Sequence, residues 1–293
     1  RRGKSGFTEE NKVKQIWREL YKAAKAVQKP RDISERIYAG GVAAAIEFSN
    51  GKIYTGVSVD TSCTLGICAE RNAMIYPHGR NNFITKRVLY KMAYAVQVMS
   101  RHDKAWVRNR YKRVYPMPNP LRFEPLTREQ YDSLFAKRKD IFACGRIHPQ
   151  KGFEKLIIAF SKIAERYPDW NVDIVGLKES EVYFNRLVEL IRQCGLENRF
   201  HFLGPRKDMD TIMQSHSIFC LSSQHEGFPN VLSEAMANGM ACVSFDIVTG
   251  PSEIIIDGLD GIIVEDQNVD ALADGLSTVM ANAELRYSLG LNA

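Results

Sequence analysis

Cys68 and Glu70 are the first residues along the chain whose types and spacing suit zinc chemistry. They lie two positions apart in TLGICAERNAM, where a helix is predicted to begin. A helix N-terminus favours the thiolate that zinc requires, and a neighbouring glutamate can carry protons between zinc-bound water and a substrate. A catalytic zinc takes three protein ligands, yet no C-x-x-C spacing occurs in the sequence. The sequence therefore predicts half of a zinc site and no metal bound by this chain alone.

Two cations and two carboxylates further along suit a different chemistry. Arg146 and Lys151, in GRIHPQKG, can place positive charge near a diphosphate, Arg through a bidentate fork and Lys as a point charge. Glu226 and Glu234 stand eight positions apart in HEGFPNVLSEAMANG, the first in a loop and the second about one turn into a helix. A loop glutamate can reach a sugar, and a glutamate in that turn can accept hydrogen bonds from two ribose hydroxyls.

Backbone groups beside these residues also favour an anionic ligand. Gly227, and Gly250 in VTGPSEII, allow the main chain to approach a ligand closely. The helix that begins near Asn230 or Val231 offers free N–H groups to a phosphate. Each feature alone is typical of an ordinary surface, so the prediction of a site rests on their combination in this order.

The elements that must position these residues alternate between strands and helices from Asp140 onward. Strands are predicted at DIFACGRI, NVDIVG, FHFLG, SIFCLSS, ACVSFD and GIIVE, and helices at FEKLIIAFSKIAERY, YFNRLVELIRQCG, MDTIMQSH, NVLSEAMANG and from Val269. This alternation predicts an α/β fold with a parallel sheet and right-handed crossovers. Parallel sheets bind ligands at the carboxyl ends of their strands. The segments GRIHPQKG, HEGFPNVLSEAMANG and VTGPSEII each follow a predicted strand, so they should meet at one edge of the sheet.

This part of the chain resembles the C-terminal, nucleotide-sugar-binding domain of family-4 retaining glycosyltransferases of the GT-B fold. The resemblance covers about residues 83–290, and its most specific motif is E-x7-E, from Glu226 to Glu234. It implies a Rossmann-like domain in which Arg146 and Lys151 neutralise the leaving diphosphate. Glu226 would contact the donor sugar and, with these two cations, form the catalytic group, while Glu234 would bind the ribose.

The resemblance also implies the surroundings of the donor. The backbone of Gly227, Phe228, Pro229, Asn230 and Val231 would cradle sugar and phosphate, and Arg206 and Lys207 would lie near the base. No cofactor or metal would be needed, because the cations stabilise the departing phosphate. The implied substrates are a nucleotide sugar, UDP-linked, and a glycan or lipid-linked acceptor, in the synthesis of cell-surface polysaccharide.

The first part of the chain, over about residues 30–76, resembles the first half of a cytidine deaminase. The stretch AGGVAAAIEFSNGKIYTGVSVDTSCTLGICAERNAM carries this resemblance, and its Asn50-Gly51 pair between two strand-like runs predicts a hairpin. The resemblance implies a partial α/β segment in which Cys68 is the first zinc ligand and Glu70 the proton shuttle. Ser58 and Asp60 stand where the family usually has Asn and Glu. Zinc would bind only if another chain supplied the missing ligands.

Length and charge complete the sequence-based picture. The 293 residues suffice for two domains, and we place a deaminase-like fragment at 1–78, a basic connector at 79–120 and a nucleotide-sugar-binding domain at 121–293. Residues 9–28 read as an amphipathic packing helix. Within 80–113, ten Lys or Arg face a single acid, which leaves room for peripheral contact with an anionic membrane, whereas the mild net charge of +6 does not argue for nucleic acid.

The expected location is the cytoplasm, at or near the inner face of the membrane. Six scattered cysteines are typical of reduced thiols, and no run reaches the roughly 18 apolar residues of a membrane span. Two alternatives to the glycosyltransferase stay open at this point. One is a zinc-dependent deaminase that lacks two ligands, and the other is a non-catalytic or chimeric binding protein made from two partial enzymes.

Overall fold

The computed structural model describes residues 18–26, 31–34, 37–47, 53–61, 96–107 and 113–293. These residues fall in two compact units. One unit takes in 1–97 and 105–115, and the other 98–104 and 116–293. The second unit contains every residue predicted for the diphosphate and sugar.

The first unit holds a helix and a small antiparallel sheet. The helix, α1, spans residues 18–26, and the sheet has the strands β1 (Arg31–Ser34), β2 (Ile37–Glu47) and β3 (Ile53–Thr61) in that order. Glu47 pairs with Ile53, which confirms the predicted hairpin, although its turn lies outside the described residues. The predicted helix over 9–28 is described only from 18 to 26.

Three short elements follow along the chain. The strands β4 (Val96–Val98) and β5 (Val114–Pro116) form a two-stranded sheet, and the helix α2 spans Arg101–Val107. In the second unit, the carboxylate of Glu253 accepts hydrogen bonds from the backbone N–H groups of Arg101 (2.5 Å) and His102 (3.1 Å). A carboxylate at a helix N-terminus satisfies donors that have no partner within the helix.

The second unit is built on a parallel sheet with helices on both faces. Its strands are β6 (Lys139–Cys144), β7 (Val172–Val175), β8 (Phe200–Gly204), β9 (His216–Leu221), β10 (Ala241–Phe245) and β11 (Gly261–Val264). They pair in the order β11-β10-β9-β6-β7-β8, and every pair is parallel. This is the Rossmann-like α/β arrangement that the sequence predicts, and the fold class of the second unit is confirmed.

The helices of this unit cover two cores, one on each face of the sheet. They are α3 (Arg128–Phe135), α4 (Phe153–Ser161), α5 (Glu181–Gln193), α6 (Met209–Ser215), α7 (Asn230–Ala237), α8 (Pro251–Ile254), α9 (Val269–Ala281) and α10 (Ala283–Asn292). Side chains alternate along each strand, so in β6 the fully buried Ile141 and Ala143 join one core while Phe142 joins the other. Such burial contributes about 1.5–3 kcal/mol for each large apolar side chain.

Element boundaries differ from the sequence-based ones where polar side chains intervene. The predicted helix over FEKLIIAFSKIAERY ends at Ser161, whose hydroxyl donates to the backbone O of Ile158 (2.8 Å), and a 3-10 turn follows at Ala164–Arg166. Such a side-chain bond to the preceding turn competes with the helix. The predicted strand SIFCLSS ends at Leu221 because Ser222 and Ser223 turn into the loop.

Candidate functional site

The candidate site lies where the strand order of the sheet reverses. From β6 the chain proceeds to β7 and β8 on one side, and then returns to place β9, β10 and β11 on the other. Loops that leave neighbouring strands on the two sides of such a switch point form a crevice at the carboxyl edge of the sheet. Here these are the loop 145–152 after β6 and the loop 222–229 after β9.

The two loops are joined by hydrogen bonds and by a glycine. The hydroxyl of Ser222 donates to the backbone O of Lys151 (2.9 Å), and the backbone N–H of Gln224 donates to the O of Gln150 (2.8 Å). Gly152 has φ +60°, and a Cβ there would lie 2.1 Å from the backbone O of Ser222. Only glycine allows this conformation together with so close an approach. The loops are therefore held against each other before any ligand arrives.

Lys151 and Glu226 form a shielded ion pair at this junction. Lys151 Nζ lies 2.6 Å from Glu226 Oε1, and the two side chains are only 16% and 10% exposed. The hydroxyl of Ser223 donates to the same oxygen at 2.7 Å. Thr249, in the loop after β10, donates its hydroxyl to the backbone O of Glu226. The structure thus brings together two predicted site residues and adds two that the sequence did not reveal.

Glu234 lies in α7, on its fifth residue, as the sequence predicts. Burial raises the pKa of its carboxyl above the ordinary value, and the charge of Arg122 partly opposes this rise. No described residue donates a hydrogen bond to the Glu234 carboxylate. Glu234 is partly buried, and a carboxylate that loses water without gaining a protein donor is poorly solvated, so this carboxylate is suited to accept hydrogen bonds from a ligand.

Cys144, the last residue of β6, shows that the charged groups converge. The pKa of its thiol is raised to about 12, mainly by burial and also by the charge of Glu234, while the charge of Lys151 opposes the rise. Both charges therefore act on one point at the end of the central strand. With a pKa this high the thiol stays protonated at neutral pH and is a poor nucleophile.

Arg146 takes a different partner from Lys151. Its side chain is 58% exposed and pairs with Glu179, at 3.1 Å between Nη1 and Oε1. Exposed pairs of this kind contribute at most about 1 kcal/mol, so the guanidinium is readily released to an anion. Arg206 likewise pairs with Asp208 in an exposed loop (2.7 Å).

The loop before α7 gives the predicted backbone cradle a definite shape. Gly227 is exposed and no atom would lie within 4 Å of a Cβ there. Pro229 provides no side-chain cap to α7, which leaves first-turn N–H groups for an anion. Gly250 has φ +104°, and a Cβ there would lie 2.4 Å from Pro229 Cδ. Its close contact with Pro229 therefore requires glycine, independently of any ligand. Phe228 is partly buried, and Asn230 and Val231 are the first two residues of α7.

Asn230 connects the site to the preceding segment. Its Oδ1 accepts a hydrogen bond from Asn119 Nδ2 (2.9 Å), and at the other end of α7 the O of Ala237 accepts from the N–H of Leu126 (3.0 Å). The segment 119–126 therefore runs along α7 and carries Arg122 beside Glu234. The sequence PNPL, which contains Asn119, does not predict this contact, because the two asparagines are 111 residues apart in the chain.

The residues of the predicted half zinc site, Cys68 and Glu70, lie outside the described residues, and the deaminase resemblance stays a prediction. Within the described ranges no group of three or more His, Cys, Asp or Glu side chains is arranged to hold a metal ion. The part of the chain that the structure describes has no helix with the length and apolar character needed to cross a membrane.

Comparisons with known proteins agree with this geometry. Residues 128–293 match the family model described as "Glycosyl transferases group 1". An uncharacterized glycosyltransferase of Haemophilus influenzae is 34% identical over 149 residues, which are 51% of this chain and 41% of that protein. The amylovoran biosynthesis glycosyltransferase AmsD of Erwinia amylovora is 30% identical over 202 residues, 67% of this chain and 55% of that protein.

A solved structure shares the fold. HepE of Anabaena, crystallised in complex with UDP, superposes with a TM-score of 0.62 at 21% identity, over 71% of this chain and 60% of that one. The chain spans about half the length of the curated relatives described above.

Proposed function

The chain belongs to the group 1 glycosyltransferase family, and from this premise we propose that it binds a nucleotide-sugar donor and transfers the sugar to a glycan or lipid-linked acceptor. The donor is UDP-linked, and the transfer retains the anomeric configuration. The observation that carries the proposal is the convergence of Lys151, Glu226 and Glu234 at the switch point of the sheet. The first two meet at 2.6 Å, and the carboxylate of the third accepts no hydrogen bond from the residues that the structure describes.

The geometry gives each residue a chemical role. Lys151 and the N–H groups at the start of α7 stabilise the negative charge that develops on the departing diphosphate. Arg146 adds a second cation when it leaves the exposed Glu179. Glu226 accepts a hydrogen bond from a hydroxyl of the donor sugar, and Glu234 accepts hydrogen bonds from the ribose. With these cations in place, departure of the diphosphate needs no metal ion.

Two relatives support the finer parts of the proposal. HepE is described in complex with UDP, which supports a uridine nucleotide, and AmsD is named for amylovoran biosynthesis, which supports a role in cell-surface polysaccharide. Synthesis of that kind uses cytoplasmic nucleotide sugars, so the protein would work in the cytoplasm, at the inner face of the membrane where a lipid-linked acceptor resides.

Calorimetric titration of UDP into the metal-free chain tests donor binding directly. We expect Lys151→Ala and Glu234→Ala each to weaken UDP binding by about tenfold or more, because hydrogen bonds to charged groups contribute about 1.5–3 kcal/mol. Lys162→Ala and Glu189→Ala are matched controls. Both remove exposed members of surface ion pairs away from the switch point and should leave the affinity within about twofold of wild type.

Three outcomes separate the possibilities. Loss of affinity in the two site variants alone supports the donor site. A folded wild-type chain that does not bind UDP would overturn the proposal. Equal effects in site variants and controls would show that UDP binds elsewhere through general charge. Addition of a chelator should change none of these affinities if no metal is required.

A further inference from the structure

The carboxylate of Glu226 is held by one of its two oxygens. Oε1 accepts hydrogen bonds from both Lys151 Nζ (2.6 Å) and Ser223 Oγ (2.7 Å). No described residue donates to Oε2. Because a carboxylate offers acceptor positions on both oxygens, Glu226 keeps half of its hydrogen-bonding capacity free inside a site that is otherwise closely packed.

Ser223 is a more rigid support for Glu226 than Lys151 is. Ser223 is 1% exposed and follows β9 by two residues, and its backbone O accepts a hydrogen bond from Gln267 Nε2 (3.4 Å). A serine hydroxyl has one side-chain torsion that places it, whereas the lysine ammonium sits on a flexible four-carbon stem. The neighbouring Ser222 donates to the backbone of Lys151 instead, so each serine holds a different member of the ion pair.

The difference matters when a diphosphate enters the site. Lys151 then has two anionic partners, and its ammonium can move toward the phosphate. The Ser223 hydroxyl is neutral and sits on a short, buried side chain, so it is drawn to the phosphate less strongly and stays on Oε1. The backbone of Glu226 is also fixed, by the Thr249 hydroxyl. The carboxylate therefore keeps its orientation, and Oε2 stays without a described donor, whether or not Lys151 remains bound to Oε1.

We propose that Ser223 is a positioning residue for recognition of the transferred sugar. By holding Oε1 of Glu226, it presents Oε2 to a hydroxyl of that sugar. Since an ionised carboxylate only accepts hydrogen bonds, the group recognised at this position is a hydroxyl and not an acidic substituent. This inference rests on the proposed donor function, and it concerns the sugar and not the nucleotide.

The test compares the affinity for a nucleotide sugar with that for the nucleotide alone. UDP and UDP-glucose are titrated separately into wild type and Ser223→Ala, and UDP-N-acetylglucosamine replaces UDP-glucose if the latter shows no gain over UDP. We expect Ser223→Ala to bind UDP like wild type and to lose about tenfold in the additional affinity that the sugar provides, which corresponds to about 1.4 kcal/mol. A merely structural role would weaken both ligands together.

Two further variants make the result decisive. Ser244→Ala is the matched control, because Ser244 is fully buried and donates to the backbone O of Phe245, away from Glu226. It should leave both affinities unchanged. In a Glu226→Ala background, Ser223→Ala should have no further effect on the sugar-dependent affinity, because a residue that acts through Glu226 is coupled to it.

The failures are distinguishable. If wild type does not bind UDP, the donor function itself is wrong. If wild type gains affinity from the sugar and Ser223→Ala gains just as much, Ser223 has no positioning role. If Ser223→Ala reduces the gain equally in the Glu226→Ala background, the serine acts by another route and the inference is also wrong.

Discussion

The two edges of the parallel sheet each carry a cluster of ionisable side chains, and the clusters differ in how completely their carboxylates are hydrogen-bonded. At the carboxyl edge, Glu226 uses one carboxylate oxygen and Glu234 neither within the described residues. At the amino edge, Asp173 uses both: Oδ1 lies 2.8 Å from His201 Nδ1, and Oδ2 lies 3.1 Å from His216 Nε2. Complete pairing is what a cluster needs for stability. Incomplete pairing in a shielded place is what a ligand needs.

The pKa shifts follow the same division. Burial alone would raise the pKa of Asp173, but the hydrogen bonds from His216 and His201 outweigh it and hold the pKa below its ordinary value. At the carboxyl edge burial prevails, and the pKa of Glu234 is raised. The protein thus stabilises one carboxylate and leaves the other poorly solvated. Variants at the two edges should separate stability from binding.

Gly152→Ala should have the largest effect, because it disturbs the carboxyl edge as a whole. The new Cβ would meet the backbone O of Ser222 and would force an L residue into a left-handed conformation. We expect a loss of about 3 kcal/mol in the free energy of unfolding, measured by urea denaturation, together with loss of UDP binding. Gly195→Ala shares the positive φ but has open space around it, and should cost only about 1 kcal/mol.

Equal destabilisation by the two alanines would show that the loops after β6 and β9 can separate without cost. The carboxyl edge would then be less pre-organised than the close approach of Gly152 to Ser222 indicates.

Asp173→Ala tests the amino edge. Removing the carboxylate leaves two histidine nitrogens without acceptors, one of them on the buried His216. We expect a loss of about 2–3 kcal/mol in the free energy of unfolding at pH 7, and UDP binding within about twofold of wild type. Asp169→Ala, an exposed neighbour, is the control. Weakened UDP binding by a folded Asp173→Ala variant would break the distinction between the edges.

The pH dependence of this effect has a definite sign. Because the folded-state pKa of Asp173 is lowered, its stabilisation is complete above the ordinary value of 3.8 and is lost as the pH falls through the folded pKa. The stability advantage of wild type over Asp173→Ala should therefore shrink as the pH falls through this acidic range.

Replacing Lys151 by Met and Glu226 by Leu together should change stability less than Asp173→Ala does. Unlike Asp173→Ala, it should abolish ligand binding. Buried ion pairs are often no more stabilising than apolar residues of similar volume. We expect the free energy of unfolding to stay within about 1 kcal/mol of wild type, while UDP and UDP-glucose binding is lost. A loss of several kcal/mol would show that the Lys151–Glu226 pair stabilises the fold, as the Asp173 cluster does.

The strands and loops that form the carboxyl edge of the sheet could be predicted from the sequence. Short apolar runs alternating with amphipathic helices define the parallel sheet, and the loops that follow its strands must share an edge. Glu234 could be placed in its helix because helix starts have local signals. Lys151 and Glu226 could be placed at this edge because each lies in a loop that follows a predicted strand.

What the sequence could not predict depends on contacts between distant segments. Arg146 pairs with Glu179 across 33 positions, and Thr249 reaches Glu226 across 23. Neither spacing has a periodic or local signature. The apolar run SIFCLSS predicts that Ser223 ends a strand, whereas the strand ends at Leu221 and the turn that follows directs the Ser223 hydroxyl to Glu226. The amino-edge cluster, formed by residues on three strands, was not foreseen at all.

Glu234→Gln should have the smallest effect on stability and gives the sharpest contrast with Asp173. A raised folded-state pKa means that the folded protein holds this proton more tightly than the unfolded chain does, so the ionised carboxylate opposes folding above the raised pKa. A neutral amide of the same shape should therefore make the ligand-free protein more stable at pH 7, as measured by denaturation, and abolish the small gain in stability that wild type shows as the pH falls through this pKa. UDP binding should weaken, because an amide oxygen is a poorer acceptor than a carboxylate.

Glu189→Gln, on an exposed surface, should change neither property. If Glu234→Gln were less stable than wild type at pH 7, the carboxylate would have a structural partner, and the carboxyl edge would differ from the amino edge in place only.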